Sequence, residues 1–166
     1  MKKTTTVSLD NIDGRILQIV QSEGRIGIAD LAERVSLSAS TCARRLRLLE
    51  DAGVIRGYGA RVNRHTVGLP LMALVLVSLH RKTDEALAAF EAAIARAPEV
   101  MEAYLMTGRE DYALRVVVAD MHAYERFLQQ RLTRIPGISQ IESSFMLRQV
   151  TDRSVLPINC PAPSPS

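Results

Sequence analysis

The stretch IADLAERVSLSASTCARRLRLLEDAG, residues 28–53, predicts two helices around a short turn, the second closed by Gly53. Ile28, Leu31, Ala32 and Val35 recur at helical spacing, which gives the first helix one buried stripe. Ser36-Leu37-Ser38 interrupts it, and the Ser38 hydroxyl can accept from a free amide in the next helical turn. The second helix is expected to bury Ala39, Cys42, Leu46 and Leu49, leaving Ser40, Thr41, Arg44, Arg45 and Arg47 mostly outside the stripe. Short hydroxyls followed by guanidiniums suit a helix laid in the major groove: small side chains permit close approach, and arginines meet base edges or phosphates. Ser38, Ser40, Thr41, Arg44, Arg45 and Arg47 are therefore candidate DNA contacts. The plainer alternative is an amphipathic helix pair whose polar face is simply solvated.

Working outward, residues 11–21 predict a preceding helix, capped by Asp10, with Ile12, Ile16, Leu17, Ile19 and Val20 on its apolar side and Gly24 at its end. Three helices of this size can share one small core. After Gly53, VIRGYGARV at 54–62 reads as a short hairpin or wing, on which Arg56 and Arg61, with Arg64 beyond, would extend the basic surface toward phosphates. Residues 63–70, NRHTVGLP, read as a linker.

The second half has a different rhythm. Residues 71–80 form an apolar strand, and Thr83 caps a helix reaching about residue 97, with Asp84 and Glu85 at its positive end. Strands follow at 99–107 and 112–119, separated by a GRED turn. Asp120 caps another helix, with Tyr124, Phe127, Leu128 and Leu132 in its stripe, which runs until Pro136-Gly137, and 138–150 is the last strand. The order β-α-β-β-α-β predicts a ferredoxin-like antiparallel sheet with both helices on one face. Its free face should be polar if it meets water, yet the first strand is apolar at successive positions and the third carries Val116-Val117-Val118. Both faces need covering, and a second copy of the sheet is the simplest cover.

The expected class is thus α+β: a winged helix-turn-helix domain at 1–62, a linker at 63–70, a ferredoxin-like dimerisation and effector domain at 71–156, and a disordered Pro-rich tail at 157–166. The composition, 47% hydrophobic and 23% charged over 166 residues, is that of a soluble globular protein. Residues 1–69 carry 11 Lys/Arg against 7 Asp/Glu, whereas 70–166 carry 10 against 11, so a polyanion would meet the front half. The start, MKKTTTVSLD, lacks the apolar core of a secretory signal, and no apolar run is long enough to span a bilayer, so a cytoplasmic location is expected. Cys42 falls in a buried stripe and Cys160 in the tail; neither a structural disulfide nor a metal site is expected.

In order along the chain, Leu9-Asp10, Asp13, Ile16-Leu17, GRI (24–26), LAERVSLS (31–38), Cys42, Arg45, Leu49-Glu50 and AGVIRGYGA (52–60) resemble the Lrp/AsnC family. So do TGREDY (107–112), Ala119-Asp120-Met121 with Ala123-Tyr124, and IPGI (135–138). The resemblance covers about residues 9–156 and implies a transcriptional regulator of double-stranded DNA, assembled as dimers and often tetramers or octamers. It also implies a small-molecule effector, usually an amino acid, that changes assembly or affinity; no cofactor is expected. The effector site of relatives maps to Thr107, Gly108, Arg109, Glu110, Asp111 and Tyr112, with Ser143 and Ser144 on the last strand. The chemistry of that turn agrees: Glu110 or Asp111 can accept from an ammonium, Gly108 permits close backbone approach, and Arg109 can hold a carboxylate. Some positions depart from the family. Ala39 and Thr41 stand where relatives carry prolines, Leu48 where they are frequently basic, and Ile141 where they often have threonine.

Two rivals use the same scaffold. A sirohaem-decarboxylase-like enzyme would need a tetrapyrrole pocket, but His65, His80 and His122 are scattered, and such chemistry needs no basic third helix. A pure amino-acid sensor acting on a protein partner would leave Arg44, Arg45 and Arg47 idle.

Overall fold

The computed structural model describes residues 8–158. They divide into two compact units: residues 8–61 together with 151–158, and residues 62–150.

In the first unit α1 spans Asn11–Ser22, α2 Ile28–Arg34 and α3 Ala39–Asp51. Asp10 and Asp13 form a reciprocal box at the start of α1: the Asp13 amide donates to Asp10 Oδ1 at 2.8 Å, and the Asp10 amide to Asp13 Oδ2 at 3.3 Å. The stripes of the three helices converge on Ile16, Leu17, Val20, Leu31, Ala32, Val35, Cys42 and Leu49. Periodicity also assigns Ile28 and Ala39 to this core, but both are exposed, because each lies in the first turn of its helix, beyond the reach of the others.

Both helix ends in the motif follow one hydrogen-bond pattern. After α2 the Ser36 amide donates to the Glu33 carbonyl and the Leu37 amide to that of Ala32; after α3 Gly53 donates to Glu50 and Val54 to Leu49. These bonds satisfy carbonyls the helix leaves open and require a left-handed residue at the turn. Gly53 has φ 70°, as expected of the stop, and Ser36 takes φ 58° without being glycine.

Residues 54–62 carry no β ladder, so of the expected hairpin or wing the segment is a wing of irregular chain. Val54 and Ile55 turn back onto the helical core, and the glycines beyond leave no continuous side-chain face for a partner strand. The segment 151–158 completes the unit. Gln21 grips the Leu156 backbone, accepting from its amide at 2.7 Å, Arg61 pairs with Asp152, and Ile158 packs on the helical core.

The second unit contains β1 (Leu71–Leu79), α4 (Asp84–Ile94), β2 (Val100–Leu105), β3 (Tyr112–Val118), α5 (Met121–Gln130), a short 3-10 turn at Leu132–Arg134, and β4 (Ile138–Phe145). The sheet order is β2-β3-β1-β4 with every pair antiparallel, the ferredoxin-like arrangement. Ala73, Val75 and Val77 of β1 and Leu114, Val116 and Val118 of β3 meet Phe90 and Ile94 of α4 and Tyr124 and Phe127 of α5. Both helices therefore cover one face. The opposite face carries Met72, Leu74 and Leu76 beside Ala113, Arg115 and Val117, with Arg115 paired to Glu102 at 2.6 Å. The expectation of two apolar faces holds.

Several boundaries move. α4 ends at Ile94 rather than about 97, and the stretch from α5 to Pro136 is broken by the 3-10 turn. β4 stops at Phe145 rather than 150: its ladder with β1 ends at Ala73–Phe145, followed by a single bond from the Met146 amide to the Met72 carbonyl at 2.9 Å. The stretch 63–70, expected as a bare linker, folds into turns held by Leu69 N–H to the Arg64 carbonyl at 2.8 Å. The second domain is expected to run to 156 and a disordered tail to occupy 157–166; instead 151–158 join the first unit, where Ile158 packs on the helical core, and 159–166 lie outside the described residues.

Candidate nucleic-acid interface and ligand-domain site

Ser38 caps α3: its oxygen accepts from the Thr41 amide at 3.3 Å, and its hydroxyl donates to Thr41 Oγ1 at 2.8 Å. The two hydroxyls are engaged with one another, and Thr41 is half-buried. Ser40 is exposed one residue into the helix. With 100° per residue, Ser40, Arg44 and Arg47 fall within about 60° of one another on the outer side of α3. Arg44 and Arg47 are exposed and have no ion-pair partner among the described residues. Their charge is available to a polyanion.

Arg45 has a different fate. Its Nη1 lies 2.8 Å from Asp10 Oδ2 and 2.8 Å from Asp13 Oδ1, and its side chain is three-quarters buried. The Asp13 carboxylate, then that of Asp10, pushes the Arg45 guanidinium to a higher pKa. The Asp13 amide holds the Asp10 carboxyl below its ordinary value, and Arg45 adds to this. Arg45 is thus a clamp between α3 and the start of α1, where the sequence suggests a DNA contact. Arg61 is paired with Asp152, whereas Arg56 is exposed. The Asp10-Asp13 spacing is visible in the sequence as a cap; that the cap also receives Arg45 depends on how α3 crosses α1.

In the other unit the turn before β3 is well built. Asp111 is buried: its Oδ2 accepts from the Leu79 amide at 2.8 Å and its Oδ1 lies 2.6 Å from Lys82 Nζ. The Leu79 N–H, then Lys82, lowers its pKa despite burial. Tyr112 packs against α4, its ring centroid 4.5 Å from that of Phe90 at a 37° tilt and its hydroxyl donating to Glu91 Oε1 at 2.9 Å. Burial, and then Glu91, pushes its pKa up. Thr107, Gly108 and Arg109 are exposed, Gly108 with φ 133°, and Glu110 is half-buried.

Ser143 and Ser144 lie on opposite faces of β4. Ser143 Oγ is 2.5 Å from the Tyr124 hydroxyl on the helix side, and Ser144 is exposed. β4 stands two strand spacings from β3, about 10 Å. The turn and the serines are therefore separate features of this unit. Lys82 has no local sequence signal, and Tyr124 reads only as part of an apolar stripe, since their partners Asp111 and Ser143 are far along the chain. Among the described residues no His, Cys, Asp and Glu cluster could hold a metal, and no helix is long and apolar enough to cross a membrane.

Comparison with known proteins also divides the chain in two, although the second profile runs on through 151–156, which the structure places with the first unit. A winged helix-turn-helix DNA-binding profile matches residues 9–56, and the profile of the Lrp/AsnC ligand binding domain matches residues 72–156. The Bkd operon transcriptional regulator of Pseudomonas aeruginosa is 44% identical over 90% of this chain and 98% of its own. A leucine-responsive regulatory protein of Rhizobium meliloti is 40% identical over 88% and 94% respectively. The crystal structure of a Neisseria meningitidis transcriptional regulator in complex with L-Met superposes with a TM-score of 0.86 at 40% identity, covering 91% of this chain and 97% of that one. With both units matched in order and relatives aligned over nearly their whole length, the chain belongs to the Lrp/AsnC family of DNA-binding transcriptional regulators.

Proposed function

We propose that copies of this chain associate through the open face of the sheet and place each α3 in a major groove of a pseudo-palindromic site. Half-sites would be spaced by about 34–36 Å or a multiple of it. The observation that carries this reading is the outer side of α3, where Ser40, Arg44 and Arg47 stand together with both guanidiniums unpaired among the described residues. Arg56 would add a phosphate contact, and Arg61 could do so by giving up Asp152. Ser38, Thr41 and Arg45 would act through the cap and the clamp, holding α3 in its presenting orientation.

An amino acid is the proposed effector. Support comes from relatives: one was crystallised with L-Met, and another is named leucine-responsive. With Asp111 and Tyr112 occupied in holding the turn, Thr107, Gly108, Arg109 and Glu110 are the groups left to meet the zwitterion. Ser144, on the open sheet face, would contribute only in an assembly; Ser143 would do so only on release from Tyr124. The effector would change DNA affinity or assembly by binding one state more tightly than the other.

The test is selection of duplexes from a random pool, followed by salt titration on the winner. Wild type should yield a palindromic consensus with affinity falling steeply with salt. Arg44→Ala/Arg47→Ala should bind more weakly, with a log–log salt slope shallower by about 0.9 for each phosphate it no longer neutralises. Equal enrichment by wild type and the double variant would overturn the assignment of α3. Adding L-methionine or L-leucine should shift affinity or sedimentation, and Arg109→Ala should blunt that response.

A further inference from the structure

We propose that Leu48 reads the C5-methyl group of a thymine, and so sets the base preference at one position of each half-site. The proposal rests on α3 being the DNA-reading helix. Among the leucines of α3, Leu49 is buried in the helical core and Leu46 packs against it, but Leu48 is 54% exposed and belongs to no core cluster. The fold of the unit does not need it where it is.

Its neighbours give it a partner. Leu48 follows Arg47 directly and stands one turn beyond Arg44, and with Ser40, Ala43 and Asp51 these residues enclose a shallow concavity of about 210 Å³. Two guanidiniums without an ion-pair partner among the described residues draw the duplex to this surface, and the exposed leucine, about 40° round the helix from Arg44, is carried against the groove with them. In the major groove the one apolar group on a base edge is the thymine methyl, which cytosine, adenine and guanine lack. Asp51, another turn on, repels phosphate and keeps that end of the face from serving as a backbone contact. The helical rise of about 1.5 Å places Leu48 about 6 Å beyond Arg44 along the axis. That is roughly two base-pair steps, so the thymine should lie within about two base pairs of the base or phosphate met by Arg44.

The full chain and its best selected duplex give the test. Thymines of the site are replaced one at a time by deoxyuridine, in both half-sites together, which removes the methyl and leaves every hydrogen-bonding group. At one position the loss should be about fourfold per half-site, the worth of one buried methyl group. Leu48→Ala should bind the thymine and uracil duplexes equally, while remaining folded because the side chain is exposed. Uracil tolerated at every position would overturn the inference while leaving DNA reading intact. A sensitive position that stays sensitive in Leu48→Ala would overturn it too, passing the contact to another methyl such as that of Ala43. Failure of wild type to select any sequence would remove the DNA-reading basis itself.

Discussion

Arg44 and Arg45 are adjacent in the chain but about 100° apart on α3, and that angle decides what each can do. Arg44 faces outward without an ion-pair partner among the described residues; Arg45 turns in to the Asp10 and Asp13 carboxylates. Arg45→Ala should lower the stability of the first unit by about 1–3 kcal/mol in urea unfolding, since it leaves two adjacent carboxylates without their cation. Arg44→Ala should leave stability unchanged and affect DNA binding alone. Asp111 makes a similar case in the second unit. Asp111→Ala should cost about 2–3 kcal/mol by stranding the buried Leu79 amide. Because its folded pKa lies below the ordinary 3.8, its contribution should be fully present above about pH 4 and fade as pH falls through the depressed folded value. Asp111→Asn should flatten that part of the acid-unfolding profile; an unchanged profile would deny Asp111 this role.

At the scale of elements, helix ends carry the most local information. Ser36 adopts φ 58° at the close of α2, a conformation that costs a residue bearing a Cβ about 1 kcal/mol. Ser36→Gly should therefore stabilise the unit by up to about 1 kcal/mol, and Gly53→Ala, at φ 70°, should destabilise it by a similar amount, both read as shifts in thermal midpoint. The same locality explains what is legible in the sequence. Asp10, Ser38, Thr83 and Asp120 each cap a helix through a bond to an amide three residues on, so their roles can be read from a short window. The βαββαβ order is legible from periodicity. The Arg45 clamp and the Asp111–Lys82 and Tyr124–Ser143 contacts are not, because each joins residues whose proximity only tertiary packing creates. The 54–62 segment reads as a short hairpin or wing, and of the two it is a wing without a β ladder, because alternation alone does not supply a second strand.

At the scale of the whole molecule, the sheet face opposite the helices is apolar along β1 and has no helix of the second unit over it. Leu74 and Leu76 lie on it, in the middle of β1. Leu74→Glu/Leu76→Glu should give monomers in sedimentation equilibrium and weaken binding to a two-half-site duplex more than to a single half-site. A variant that still sediments as wild type would move the interface elsewhere.

The return of residues 151–158 to the first unit makes the DNA-reading unit discontinuous in sequence, interrupted by the whole of the other. A single crossover joining the reader of one such protein to the sensor of another would therefore inherit a mismatched closing segment, with Gln21 gripping a foreign backbone. Recombination between relatives should succeed as an insertion, exchanging 62–150 at two junctions, rather than as a splice at one.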